Sequence, residues 1–197
     1  IRFFNYWPLT PFLFLLLFSF QEADLDLWGR MAAGRLAVEL GHVPKQDVFA
    51  YVPTKPLWVD HEWLSGRIFY HIHRLWGGTG LLCLRALVGF AAIVFAYLAA
   101  RRRGAARWAA LLVLAAAWIL IIQGFNTVVR AQSFSFAFFA LFFYLLERAR
   151  NGSPRLLLLT IPVTALWANL HGGFVTGVML IFGYAVGRLL LGEVKGA

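Results

Sequence analysis

Apolar runs punctuated by clusters of arginine constrain this chain more than any other feature. Six runs can be read, at roughly 3–20, 81–100, 108–123, 133–146, 156–168 and 174–191. A helix needs about 20 predominantly apolar residues to cross the hydrocarbon of a bilayer. The fourth and fifth runs are short by that measure and would have to borrow residues from their turns. Charged residues make up only 14% of the chain, against about 25% in soluble domains. The 19 Phe and 8 Trp suit lipid-facing surface and interfacial belts. The pattern predicts an all-α fold: a polytopic transmembrane helical bundle of about six spans. The single cysteine, Cys83, excludes an internal disulfide and any cysteine-based metal cluster, and reads as an inert small hydrophobe.

The basic residues give the orientation. Arg101, Arg102, Arg103 and Arg107 join the second and third runs, and Arg148, Arg150 and Arg155 join the fourth and fifth. With six crossings both connections fall on one side, which the positive-inside rule makes cytoplasmic. Arg2, Arg188 and Lys195 fall on that side too, so both termini are expected there. The net charge of +9 is thus read as membrane orientation, not as a nucleic-acid surface. Three connections then face outward together: 21–79, 124–132 and 169–173. The chain divides into a first span (1–20), an outer loop (21–79) and five further spans (80–197).

The outer loop is too long to be structureless in a compact protein. Trp28, Met31, Ala32, Leu36 and Leu40 recur at helical spacing, as do Leu64, Ile68, Ile72, Leu75 and Trp76. Two amphipathic helices lying in the outer interface, over 28–40 and 60–76, are expected. The stretch between them carries Pro44, Pro53 and Pro56 and reads as an extended linker.

Three outward-facing groups carry chemistry-bearing side chains. The first holds Glu22, Asp24 and Asp26, directly after the first run. Carboxylates at the mouth of a span are expensive to place, which favours a functional role. The second is Asp60, His61, Glu62 and Trp63. The third is Asn169, Leu170, His171, Gly172 and Gly173, with Arg85 and Arg130 near the same face. A carboxylate here can take a proton from a hydroxyl. An arginine can hold a phosphate and stabilise the charge that develops on it. Two histidines with carboxylates are compatible with a divalent cation, yet no spacing forms a metal signature, so no metal ligands are assigned. Plain structural roles compete with each. The acidic residues can cap or charge a helix N-terminus, with Asp60 as N-cap. His171 can be a turn residue satisfied by backbone carbonyls. Arg85 can snorkel or pair with a loop carboxylate.

Taken in order, the motifs are Asp24/Asp26, the element Pro44-Lys-Gln-Asp-Val-Phe49, His61-Glu-Trp-Leu64 and Trp167-Ala-Asn-Leu-His-Gly-Gly173. Together they resemble the bacterial polytopic glycosyltransferases of the GT-C superfamily, relatives of the protein O-mannosyltransferases. The resemblance runs from about residue 22 to 180 and corresponds to the N-terminal portion of such enzymes. It departs at Arg30, where relatives are expected to carry His, and at Ala131, where Pro is expected. Family members usually carry more spans and often a further C-terminal domain.

The resemblance implies an enzyme of the bacterial inner membrane. It would move a sugar from a polyprenyl-phosphate carrier to an acceptor on the outer face. Asp24 or Asp26 would be the catalytic base, with Arg85, Arg130, His61, Glu62, Asn169 and His171 binding substrate or phosphate. Membrane lipids are expected partners. The alternative from another class is a non-catalytic subunit that keeps the fold within a larger membrane protein complex. The two diverge on whether the outward-facing acidic residues, Glu62 and His171 converge on one cavity.

Overall fold

The computed structural model describes residues 25–52, 57–122, 129–150 and 152–191. The first apolar run, Glu22 and Asp24 lie outside them. Every regular element described is helical: α1 (Leu25–Glu39), α2 (Trp63–Arg102), α3 (Arg107–Ile122), α4 (Gln132–Arg150), a 3-10 turn (Pro154–Leu159), α5 (Thr160–Leu170) and α6 (Phe174–Leu190).

Helix α1 buries Leu27, Met31 and Ala37 on one stripe, and carries Asp26 in its first turn, where the helix dipole favours an acid. It stops at Gly41, whose φ of 74° suits the left-handed turn that closes helices. The segment that follows is irregular, as expected of its prolines. It is tied by a Trp58 N–H bond to the Lys45 carbonyl (2.9 Å) and a Phe49 N–H bond to Asp47 Oδ1 (3.0 Å).

The expected helix over 60–76 and the second span are two helices that meet at a kink and are described together as α2 (Trp63–Arg102). Gly77 (φ 59°, ψ −153°) interrupts it and separates a first limb from an apolar second limb. Only glycine adopts that backbone without strain. By length and composition α2 can cross a membrane, with a mean hydropathy of 2.3 in its most apolar window. The shorter apolar helices are Arg107–Ala116, Pro154–Leu170 and Phe174–Leu190. The fifth run is thus not one long helix, because it starts as a 3-10 turn at Pro154 before α5 begins. Asp60 is not the N-cap of α2. Glu62 holds that position and makes no side-chain capping bond.

The helices pack with α2 at the centre, α1 and α4 laid on it most extensively, and α6 on α4. One core cluster joins Leu27, Met31, Phe69, Leu81, Val129, Ala131, Phe134 and Leu170. A second lies further along α2 and joins Ala86, Ile93 and Tyr97 to Ala110 and Leu111 of α3. The outward faces of α3, the 3-10 turn, α5 and α6 stay strongly apolar: Leu112, Leu158, Ile161, Met179 and Phe182 are each at least 66% exposed. At the far end, Arg103 donates from Nε to Glu147 Oε1 (2.8 Å) and from a terminal nitrogen to the Tyr184 hydroxyl (3.2 Å). Tyr184 in turn donates to buried Glu147, locking α2, α4 and α6.

Candidate active site

The chain's polar chemistry gathers where α1 starts, α2 and α4 begin, and α5 turns into α6. Asp26 and Arg30 stand four residues apart on α1, a spacing that puts both on one helix face. Arg30 reaches across to α2 and uses one nitrogen for each of two carboxylates. It lies 3.1 Å from Asp60 Oδ1 and 2.6 Å from Glu62 Oε2. The same Asp60 oxygen accepts the backbone N–H of Glu62 (3.2 Å), so Asp60 shapes the approach to α2 from outside the helix.

Glu62 is the hub. While Oε2 binds Arg30, Oε1 accepts the N–H of Gly172 (3.3 Å). The same oxygen lies 3.4 Å from His61 Nε2 and 3.7 Å from His171 Nε2. The carboxylate therefore pins the α5–α6 turn to the start of α2. Asn169 adds a second tie by accepting the Trp63 indole N–H at 2.7 Å.

His171 is fixed from below. The buried Trp167 indole donates to Ser135 Oγ (2.7 Å), and Ser135 Oγ sits 2.7 Å from His171 Nδ1. The Gly173 N–H also points at that nitrogen (2.9 Å). A backbone N–H can only donate, so Nδ1 must accept. The expectation that backbone carbonyls satisfy His171 is therefore replaced by an opposite arrangement, in which donors hold it. Burial pushes its pKa below the ordinary 6.5; Arg30 and His61 push the same way, and Glu62 opposes them. Gly173 is required here, since a β-carbon would strike Ser135 Oγ and come within 2.8 Å of His171 Nδ1.

A serine, a histidine and a carboxylate in contact raise the question of a hydrolytic triad. Ser135 does not fit that role. Its oxygen is enclosed by the Trp167 indole and the Gly173 backbone, and it does not reach the cavity wall.

Above this network lies an open cavity of about 90 Å³. Its polar walls are Asp26, Arg30, Glu62, Arg130, Gln132 and His171, over a floor that includes Leu27, Phe69 and Val129. A wider groove of about 420 Å³ adjoins it along α1 and the irregular segment, lined by Phe49, Trp58, Asp60 and His61. Asp26 and Arg30 border both spaces. Among the described residues no group of three or more His, Cys, Asp or Glu is placed to hold a metal ion.

No protein family matches the chain, and neither a curated protein nor a solved structure is significantly similar to it.

Of the residues singled out from sequence, Asp26, Glu62, Arg130 and His171 share the cavity, and His61 lines the adjoining groove. Asn169 buttresses the turn without lining either space. Arg85 is buried along α2 beside the core cluster and also lines neither. Asp24 lies outside the described residues. Arg30, Gln132, Ser135 and Trp167 emerge from the structure as site residues. The signal for Arg30 was its four-residue spacing from Asp26. Ser135 carried none, being one hydroxyl in a phenylalanine-rich run.

Proposed function

We propose that the chain is a GT-C-like membrane glycosyltransferase, or the N-terminal part of one. It moves a sugar from a polyprenyl-phosphate carrier to an acceptor on the outer face of the bacterial inner membrane. The supporting observation is the convergence of Asp26, Glu62, Arg130 and His171, drawn from four stretches of sequence, on one cavity. Multiple spans are supported by the exposed apolar faces of α3, α5 and α6, which suit lipid better than water. Arg101, Arg102, Arg148 and Arg150 end α2 and α4 at the far end from the cavity. The positive-inside rule makes that end, and both termini, cytoplasmic.

The chemistry follows from the walls. An acceptor hydroxyl in the wider groove gives its proton to the Asp26 carboxylate as its oxygen attacks the sugar's anomeric carbon. The bond from that carbon to the phosphate oxygen breaks from the opposite face, so the carbon inverts. The lipid phosphate leaves with the bonding pair. Arg130 offsets its charge, helped by the positive N-terminal ends of α2, α4 and α6. Asp24 is the other candidate base on sequence grounds. The test is sugar transfer from a polyprenyl-phosphate donor by the full chain in lipid nanodiscs.

A non-catalytic subunit of a membrane complex is the second reading. It is favoured by the commitment of Asp60 and Glu62 to Arg30, which leaves fewer carboxylates available for chemistry. Absence of transfer and of donor binding, with copurification in fixed ratio with other membrane proteins, would decide for it.

A further inference from the structure

We propose that His171 is held as a neutral ring protonated on Nε2, and that this N–H donates to a phosphoryl oxygen of the ligand in the cavity, with Ser135 and Trp167 as positioning residues. The naming of a phosphoryl oxygen rests on the function proposed above. The tautomer does not.

The hydrogen bonds can be assigned without ambiguity. Trp167 Nε1 has only a proton to give, so Ser135 Oγ accepts it. Because the Gly173 N–H makes His171 Nδ1 an acceptor, the Ser135 hydroxyl proton is directed to that nitrogen. Gly173 N–H converges on the same nitrogen. A proton on Nδ1 would face two donors at 2.7 and 2.9 Å, so the ring carries its proton on Nε2. The relay is rigid: Trp167 is fully buried, wedged edge-on to Phe142 and against Gly177, where any β-carbon would overlap the indole.

The Nε2–H then faces the cavity. Glu62 Oε1 lies 3.7 Å from Nε2, beyond hydrogen-bond reach. That oxygen is already engaged by Gly172, and its partner oxygen by Arg30. The charged and titratable groups around the ring are Glu62 and His61 at the head of α2, Asp26 and Arg30 on α1, and Arg130 before α4. A ligand oxygen with negative charge is the acceptor that suits a donor set between two arginines.

The test combines ring-nitrogen NMR on ¹⁵N-histidine-labelled full chain in nanodiscs with ligand titration. His171 resonances are assigned by their loss in His171→Gln. The expected spectrum shows a protonated Nε2 and a bare Nδ1 at neutral pH and above. Addition of a short-chain polyprenyl phosphate should move the Nε2 resonance; inorganic phosphate should do so only if the headgroup alone supplies the contact. Ser135→Ala removes one of the two donors on Nδ1 and should shift that resonance, while the Gly173 N–H keeps the proton on Nε2. His171→Ala should weaken polyprenyl-phosphate binding about tenfold or more, as loss of a bond to a charged group does. His171→Gln, whose amide N–H falls near the Nε2 site, should recover part of the loss, and His171→Asn should not.

A proton on Nδ1, or an Nε2 resonance indifferent to both phosphates, overturns the proposal. If transfer proceeds while the ring stays silent, this inference fails and the transferase reading survives. If the ring responds but no sugar is transferred, the reverse holds.

Discussion

Gly34 and Gly66 meet backbone to backbone where α1 crosses α2. A β-carbon on residue 34 would overlap the Gly66 carbonyl, and one on residue 66 would lie 2.5 Å from the Arg30 carbonyl oxygen. This contact sets the separation of the two helices, and so the height of Arg30 above Asp60 and Glu62. Gly34→Ala must force the helices apart. Overpacking of this kind typically costs about 1–3 kcal/mol. A lowered Tm in detergent is expected, with Arg30 pulled off its carboxylates. An unchanged Tm would mean that α1 does not cross α2 at these glycines.

Arg30 holds two carboxylates that are themselves nearly buried, with side-chain exposures of 5% for Asp60 and 9% for Glu62. Its removal strands their charge. Losing one partner of a buried pair costs about 3–5 kcal/mol, and the lower end applies because Arg30 keeps 30% exposure. Arg30→Gln should therefore destabilise the fold strongly at neutral pH. Adding Glu62→Gln should return part of that loss, since the stranded charge goes with it. A double variant no more stable than the additive sum would show that the two side chains are not coupled.

The pH dependence has a definite sign. Burial, first, then Arg30 and His61 hold His171 below its ordinary pKa of 6.5. Between the depressed folded value and 6.5 the unfolded chain binds a proton that the folded chain refuses. His171 therefore contributes a loss of stability as pH falls through about 6.5, levelling off below the folded value. Thermal unfolding from pH 7.5 downward should show this slope, and His171→Gln should flatten it. An identical slope in the variant would assign the effect to another group.

Helix existence was legible in the sequence because uninterrupted apolar runs ended by arginines mark helices. The break between the helix ending at 76 and the run starting at 81 was legible too. That a single left-handed residue, Gly77, makes it, with helix directly on both sides, was not. The site was legible at Asp26, Glu62, Arg130 and His171, which stand out as polar residues at the ends of apolar runs. What those residues do to one another was not, because it depends on contacts 30 or more residues apart. Arg30 to Asp60 and Ser135 to His171 are examples. Arg85 looked like a phosphate ligand by its depth in the run, but helix rotation turns it into the core.

Orientation can be checked independently of activity. With Cys83 replaced by Ala, a cysteine at exposed Gln46 should react with a membrane-impermeant thiol reagent in intact cells with a permeabilised outer membrane. One at exposed Arg102 should be shielded until the inner membrane is opened. The opposite pattern would place the cavity on the cytoplasmic side and remove the outer-face transferase.

Asp26 carries the catalytic step if the proposed function holds. It borders both the cavity and the wider groove, so its carboxylate can meet an acceptor hydroxyl on one side while the donor phosphate lies toward Arg130 on the other. Asp26→Asn keeps the shape and removes the basicity. Loss of a general base lowers rates about 10²–10⁴-fold, so turnover should fall by that much while polyprenyl-phosphate binding is retained. Arg130→Gln should instead weaken donor binding and turnover together, because it meets the phosphate in both the ground state and the transition state. Both variants should keep the Tm of the parent chain within a few degrees, as Asp26 is exposed and Arg130 only half-buried. Near-normal turnover in Asp26→Asn would move the base to Asp24, and near-normal turnover in both Asp→Asn variants would leave the transferase without one.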